Sequence, residues 1–211
     1  MANMKFYFTP GACSIGIHIL LEELELVFEA YLVNLVKGEH LAPEYLAINP
    51  HGTIPSLVAA DGEVLTDFIA IANWLAEKYP RRKLLPDDPQ RREAVLDTLA
   101  YCVNTIHGQG YTRVFTTGKY SDNPAQHAAI QEAGWSMVRA GLEELDRRYA
   151  AGELYLDTFS VADAAQFYVE FWAQRSEVAL PPFCERHYRQ MLQRPAVRQV
   201  LMEEGYYSVL N

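Results

Sequence analysis

Between Asn49 and Phe68 the chain reads Asn-Pro-His-Gly-Thr-Ile-Pro-Ser-Leu-Val-Ala-Ala-Asp-Gly-Glu-Val-Leu-Thr-Asp-Phe. This stretch restricts the fold more tightly than any other. Asn49 to Gly52 is a turn-rich loop. Ser56 to Ala60 and Glu63 to Leu65 are short apolar runs joined by Asp61-Gly62, a strong hairpin signal. Thr66 and Asp67 offer side-chain oxygens to cap a helix that begins near Phe68. Pro55 cannot donate to a ladder, so it belongs at the first residue of a strand or on an edge. The backbone of Ile54 is thereby left to meet something other than a strand.

The rest of the first eighty residues fits around this hairpin. Lys5 to Thr9 is a β-rich run, Pro10 to Ser14 a turn, and from Ile15 the pattern is helical. Ile15, Ile19 and Leu20 share one face, with Glu22 and Glu23 on the other. Val27 to Leu35 reads as a strand, Lys37 to His40 as a polar loop and Leu41 to Ile48 as a short irregular helix. Phe68, Ile71, Ala72 and Leu75 recur at helical spacing until Tyr79-Pro80. A βαβ crossover followed by a hairpin and a helix predicts one small α/β domain over residues 1–80. Residues 81–90, rich in Pro, Asp and basic side chains, read as a linker.

Residues 91–211 read as an all-helical domain. Leu96, Leu99, Val103 and Ile106 form one apolar stripe. Ser121 to Pro124 breaks the chain, and Ala125 to Ala150 is a long helix with Trp135, Val138, Leu142 and Leu145 inward. Ser160 to Asp163 resembles a capping box with Asp in place of Glu. It opens a helix carrying Phe167, Tyr168, Phe171 and Trp172. Prolines at 181, 182 and 195 punctuate two last helices.

Half of the 211 residues are apolar and the formal net charge is −9. A sizeable core follows. The acidic balance argues against non-specific nucleic-acid binding and against docking on anionic membrane. No run is long enough to span a bilayer, and no secretory leader pattern precedes the first strand. Cys13, Cys102 and Cys184 make no CxxC pair and no zinc pattern. A cytoplasmic protein with reduced thiols is the simplest expectation.

Cys13 follows a strand and a Pro-Gly turn and precedes a helix, where backbone N–H groups and the helix dipole favour a thiolate. The plain alternative is a small buried apolar cysteine. Ser14 is a second possible donor. Cys102 and Cys184 read as packing residues. Asp67 caps a helix, and a ligand's amino group could also meet its carboxylate. His107 stands one step past the apolar stripe, a position where most histidines are simply solvated. Tyr111, Phe115, Tyr120, Tyr168 and Trp172 are core residues or the lining of an apolar pocket.

Taken together, these pieces resemble the glutathione transferase family over nearly the whole chain. Phe6 to Ser14 is most similar to the bacterial cysteine-type, or beta, class. Asn49 to Pro55 is similar to the family's loop before its cis-proline, and Ser160 to Asp163 to its helical-domain capping box. The resemblance implies a thioredoxin-like α/β N-terminal domain and an all-α C-terminal helical bundle. It implies glutathione as co-substrate, a small hydrophobic electrophile as second substrate, and a homodimer. At matching positions, Cys13 would face the glutathione sulfur and Ile54 would pair its backbone with the cysteinyl part. Lys37 would sit near the glycine carboxylate, and Asp67 and Phe68 at the γ-glutamyl end. Asn104 and His107 would approach from the helical domain, with Cys13 and His107 in the chemistry.

Three positions depart from the class. Phe68 stands where Ser is usual, Asp67 where Glu is common, and Gly108 where Lys is common. Phe68 has no hydroxyl to give a carboxylate, and such a hydrogen bond is worth about 1.5–3 kcal/mol. Two activities fit: conjugation of glutathione, or thiol exchange through a mixed disulfide with Cys13. The rival is a binding or regulatory protein that keeps the fold with weak or no glutathione activity.

Overall fold

The computed structural model describes residues 3–154 and 156–210. The chain divides into two compact units, Met1–Leu84 with Leu192–Asn211, and Leu85–Met191. The sequence pattern groups residues 91–211 together; in the structure the final stretch packs with the N-terminal residues instead.

The first unit is a four-stranded sheet in the order β2-β1-β3-β4. Its strands are β1 (Met4–Phe8), β2 (Phe28–Leu32), β3 (Ser56–Val58) and β4 (Val64–Thr66). β1 pairs in parallel with β2 and antiparallel with β3, and β3 pairs antiparallel with β4. Helix α1 (Ser14–Glu23) is the crossover between the parallel strands. A short α2 (Pro43–Leu46) precedes the Ile54 loop, and α3 (Phe68–Lys78) follows β4. Phe6, Ile15, Ile19, Leu57, Ile71 and Leu75 are fully buried and form the core.

α1 departs from the one-sided helix that its spacing predicts. Every residue from Ser14 to Leu21 is buried. The reason is α9 (Pro195–Glu203), which covers the face that a lone domain would leave wet. Arg194 fixes the contact, its guanidinium donating to both Glu23 oxygens at 2.6 and 2.9 Å.

The second unit is helical: α4 (Pro89–Ala100), a π-helical stretch (Tyr101–Tyr111), α5 (Thr112–Phe115), α6 (Pro124–Ala150), α7 (Val161–Arg175) and α8 (Pro182–Gln193). The apolar stripe therefore does not run on as one α-helix. Leu99, Cys102, Ile106 and Tyr111 are the buried set, at steps of three, four and five. Glycines permit the close approach to α6: a Cβ on Gly110 would lie 2.8 Å from Val138 Cγ2, and one on Gly134 would lie 2.8 Å from the Gly110 carbonyl. Wider π turns are frequent at functional sites. Among the described residues, no helix is long and apolar enough to cross a membrane.

α7 is buried almost all round, yet it carries polar side chains. The capping box at its start is complete: Asp163 Oδ2 accepts from the Ser160 N–H and hydroxyl at 2.8 and 2.6 Å. Glu170 and Gln166 are buried and satisfied by one another, by Tyr149 and by His187. His187 contacts Glu170 at 2.6 Å through Nδ1 and Asp163 at 3.2 Å through Nε2. Burial alone would push the imidazole down. The adjacent Glu170 and Asp163 carboxylates outweigh it and hold it up at about 10.

A folded value above the unfolded 6.5 means that His187 contributes fully below 6.5. The contribution is lost as pH rises towards about 10. Urea unfolding across that window is expected to show falling stability. His187→Gln is expected to cost about 3–5 kcal/mol at neutral pH, the penalty for a broken buried pair, and to flatten the decline.

Candidate active site

The sheet brings four loops to one end. Tyr7 pairs with Ser56, and Ser56 with Thr66. Because both pairings are antiparallel, the chain leaving β1 at Phe8, the residues before β3 and those after β4 all lie at that end. β2 is parallel to β1, with Leu32 beside Phe8, so the loop bearing Lys37 leaves there too. Cys13, Ile54, Asp67, Phe68 and Lys37 are far apart in sequence and share this edge.

The Cys13 turn is held from several sides. Thr9 and Ser14 exchange hydrogen bonds, the Thr9 N–H donating to Ser14 Oγ at 3.2 Å and the Ser14 hydroxyl to the Thr9 carbonyl at 3.1 Å. Ser14 is buried and its hydroxyl serves the turn, so it is not the second donor that its position suggests. Thr9 also donates to the Val33 carbonyl. Gly11 has φ +71°, and a Cβ there would lie 1.9 Å from Tyr206 Oη. Its N–H donates to Glu204 Oε2 at 2.7 Å.

Cys13 precedes the first residue of α1, as the sequence predicts, but the thiol is not the activated group expected there. It is buried, and burial pushes it up to about 12 against the opposing pull of the Ser14 and Cys13 amides. At neutral pH it is a protonated thiol. Its Sγ lies 3.6 Å from the Ile54 carbonyl, to which the S–H donates.

Ile54 is joined to Pro55 by a cis peptide bond and stands just outside β3. Asn49 and Tyr45 fix its loop through their side chains. Asn49 is fully buried and donates to the Thr53 carbonyl at 2.7 Å and to Ser56 Oγ at 3.1 Å, while its Oδ1 accepts the His51 N–H at 3.0 Å. The Tyr45 hydroxyl reaches both the Thr53 carbonyl and Ser56 Oγ. A buried Asn with all its partners in one loop leaves no periodic signature.

Asp67 caps α3, Oδ1 accepting the Ala70 N–H at 2.8 Å. Its backbone has φ 82° and ψ 159°, a region populated almost only by glycine and costing a side-chain residue about 1–3 kcal/mol. Such outliers gather at ligand-binding points. Phe68 is a core residue, 3% exposed. Its side chain is buried at the first residue of α3, and a serine here would leave a cavity. Lys37 is exposed, its N–H donating to Asn34 Oδ1 at 3.0 Å.

Asn104 and His107 lie on the π-helical stretch of the second unit, Asn104 exposed and His107 partly buried. His107 Nδ1 is 3.2 Å from Tyr168 Oη, and its ring meets Trp172 edge-on at 4.9 Å. Burial pushes the imidazole down to about 4, so it is neutral at pH 7 and a weak base. Tyr111, Phe115 and Tyr168 pack around Trp172 at 5.0–5.4 Å, and Phe115 is half exposed. Cys102 and Cys184 are buried, and burial raises both.

A βαβ unit, a ββα unit and a cis-proline before the third strand define a thioredoxin-like domain, here followed by helices. Residues 11–78 match the family described as glutathione S-transferase, N-terminal domain. Glutathione S-transferase GstA of Escherichia coli O157:H7 is 31% identical over 206 residues, covering 96% of this chain and 99% of that protein. The chain belongs to the glutathione S-transferase family. A sphingomonad glutathione S-transferase complexed with glutathione superposes with a TM-score of 0.80 at 29% identity, covering 95% of this chain and 98% of the other. A bacterial beta class enzyme from Sphingomonas chungbukensis superposes with a TM-score of 0.78 at 28% identity, over 96% and 99%.

A protonated Cys13 holds about a thousandfold less thiolate at neutral pH than an ordinary thiol, so its alkylation by iodoacetamide, followed by mass spectrometry of the Cys13 peptide, is expected to be slower by at least tenfold. The rate is expected to keep climbing towards pH 12. A plateau near the ordinary thiol range would contradict the assignment.

Proposed function

We propose that this protein is a glutathione transferase that joins glutathione to a small hydrophobic electrophile, with Cys13 as a hydrogen-bond donor to the glutathione sulfur. The observation that carries the reading is the buried, protonated Cys13 thiol beside the Ile54 carbonyl. On glutathione binding, the cysteinyl backbone of the tripeptide pairs with Ile54. The glutathione thiol gives its proton to solvent, and the resulting thiolate accepts from Cys13. Its electron pair then forms the carbon–sulfur bond as the leaving group departs with the old bonding pair.

Protonation at Cys13 favours conjugation over thiol exchange, because exchange needs a thiolate to attack. Asp67 and the start of α3 take the γ-glutamyl end, and Lys37 the glycine carboxylate. His107, neutral beside Tyr168, acts as a hydrogen-bonding group and not as the proton-transfer base. Phe115, half exposed and packed against Trp172, gives the second unit an apolar patch of the kind that suits a hydrophobic electrophile. The three free cysteines suit the reducing cytoplasm. We assign a homodimer as the working form, which sedimentation at twice the chain mass would bear out.

Turnover of glutathione with an aryl halide, alongside calorimetric glutathione binding, separates the two chemistries. Cys13→Ala removes the donor and is expected to lower kcat by about 100-fold, the scale of one lost transition-state donor, while glutathione still binds. Cys13→Ser keeps an O–H donor and is expected to retain most of the rate. Equal loss in both variants would mean that the sulfur itself reacts.

A further inference from the structure

One cluster in the first unit has no part in the chemistry above. His18 and Glu22 stand four residues apart on one face of α1, and Glu203 ends α9. The three side chains offer one nitrogen and two carboxylate oxygens, all within 4.8 Å of one another. His18 is 3% exposed and lies among the rings of Phe6, Phe8 and Phe28 at 5.6–5.7 Å, which fixes its orientation.

The two ring nitrogens are set apart. Nδ1 lies 2.9 Å from Glu204 Oε1, and the Glu204 side chain is wholly buried. The other Glu204 oxygen accepts the Gly11 N–H. A carboxylate held in this way places the proton on Nδ1 and leaves Nε2 facing the cluster. A second-layer carboxylate behind an imidazole is the usual support of a metal-ligating histidine. Nε2 is 3.2 Å from Glu203 Oε2, and Gln199 donates to the other Glu203 oxygen, leaving Oε2 aimed at the ring.

Charge points the same way. Glu22, Glu203 and Glu204 converge on one histidine, and among the described residues no Lys or Arg pairs with any of them. A proton on Nε2 offsets one negative charge, and a divalent ion offsets two.

We propose that His18 Nε2, Glu22 and Glu203 bind a divalent first-row transition-metal ion, with solvent completing the coordination. Nitrogen and carboxylate ligands at about 2.0–2.2 Å around a tetrahedral zinc are separated by about 3.4 Å. The Nε2–Glu203 pair, at 3.2 Å, is already close to that spacing, and the Glu22 carboxylate lies within 4.8 Å of both. Glu203 is half exposed, so an ion can enter from solvent. The donor set suits zinc, manganese or iron better than a thiophilic ion. Through Glu204 the ion would brace Gly11, two residues from Cys13, though the site does not depend on the transferase reading.

The test uses the full chain, stripped with a chelator and titrated with zinc chloride in a calorimeter, with cobalt(II) as the spectroscopic probe. One ion per chain is expected, with a cobalt spectrum lacking the thiolate charge-transfer band. Glu22→Gln and Glu203→Gln, both on partly open side chains, are each expected to weaken zinc at least about tenfold. No heat at millimolar zinc, unchanged affinity in both variants, or a thiolate band would each overturn the proposal.

Discussion

The first unit depends on one ladder. Ser56 pairs with Tyr7 on one side and with Thr66 on the other, so β3 is the hub of the sheet. A slip of one residue would turn Leu57 out of the core and carry Ile54 away from Cys13. With this register kept, the 3.6 Å contact between the Cys13 thiol and the Ile54 carbonyl follows. So does the position of Asp67, one residue beyond Thr66. The register is fixed by the burial of Leu57 and by the hydrogen bonds of Tyr45 and Asn49 to the residues flanking Pro55.

Local signals carried much of this into the sequence. Asp61-Gly62 marks the hairpin, Asp67 the cap and Ser160 with Asp163 the capping box, and each stands in the structure where its chemistry places it. Long-range burial left no such mark. The all-round burial of α1 depends on α9, some 170 residues later, and no periodicity in α1 reports a partner so distant. The Cys13 thiol shows the same limit. A cysteine before a helix reads as a thiolate if the helix amides act alone, but its desolvation comes from the tertiary environment and is the larger effect. The π-helical turns carrying Asn104 and His107 arise where Gly110 and Gly134 allow close packing, so a regular 3.6-residue stripe could not reveal them.

Both units place a histidine between carboxylates, with different consequences. His187 is closed in by Asp163 and Glu170, and its cluster is satisfied without any further ion. Around His18 one carboxylate holds the ring from behind while two others, partly open to solvent, stand before Nε2. The first arrangement serves packing around α7. The second leaves negative charge that a cation can answer, directly behind the turn that carries the thiol.

In the proposed function, the loops gathered at the end of β1 form a glutathione platform even though Phe68 offers no hydroxyl. Calorimetric titration of the intact protein with glutathione tests it most directly. Saturable heat with one tripeptide per chain is expected, and the same stoichiometry for S-methyl glutathione, because backbone groups and α3 hold the peptide. Absence of heat at millimolar glutathione would contradict it and favour a fold kept for binding some other partner.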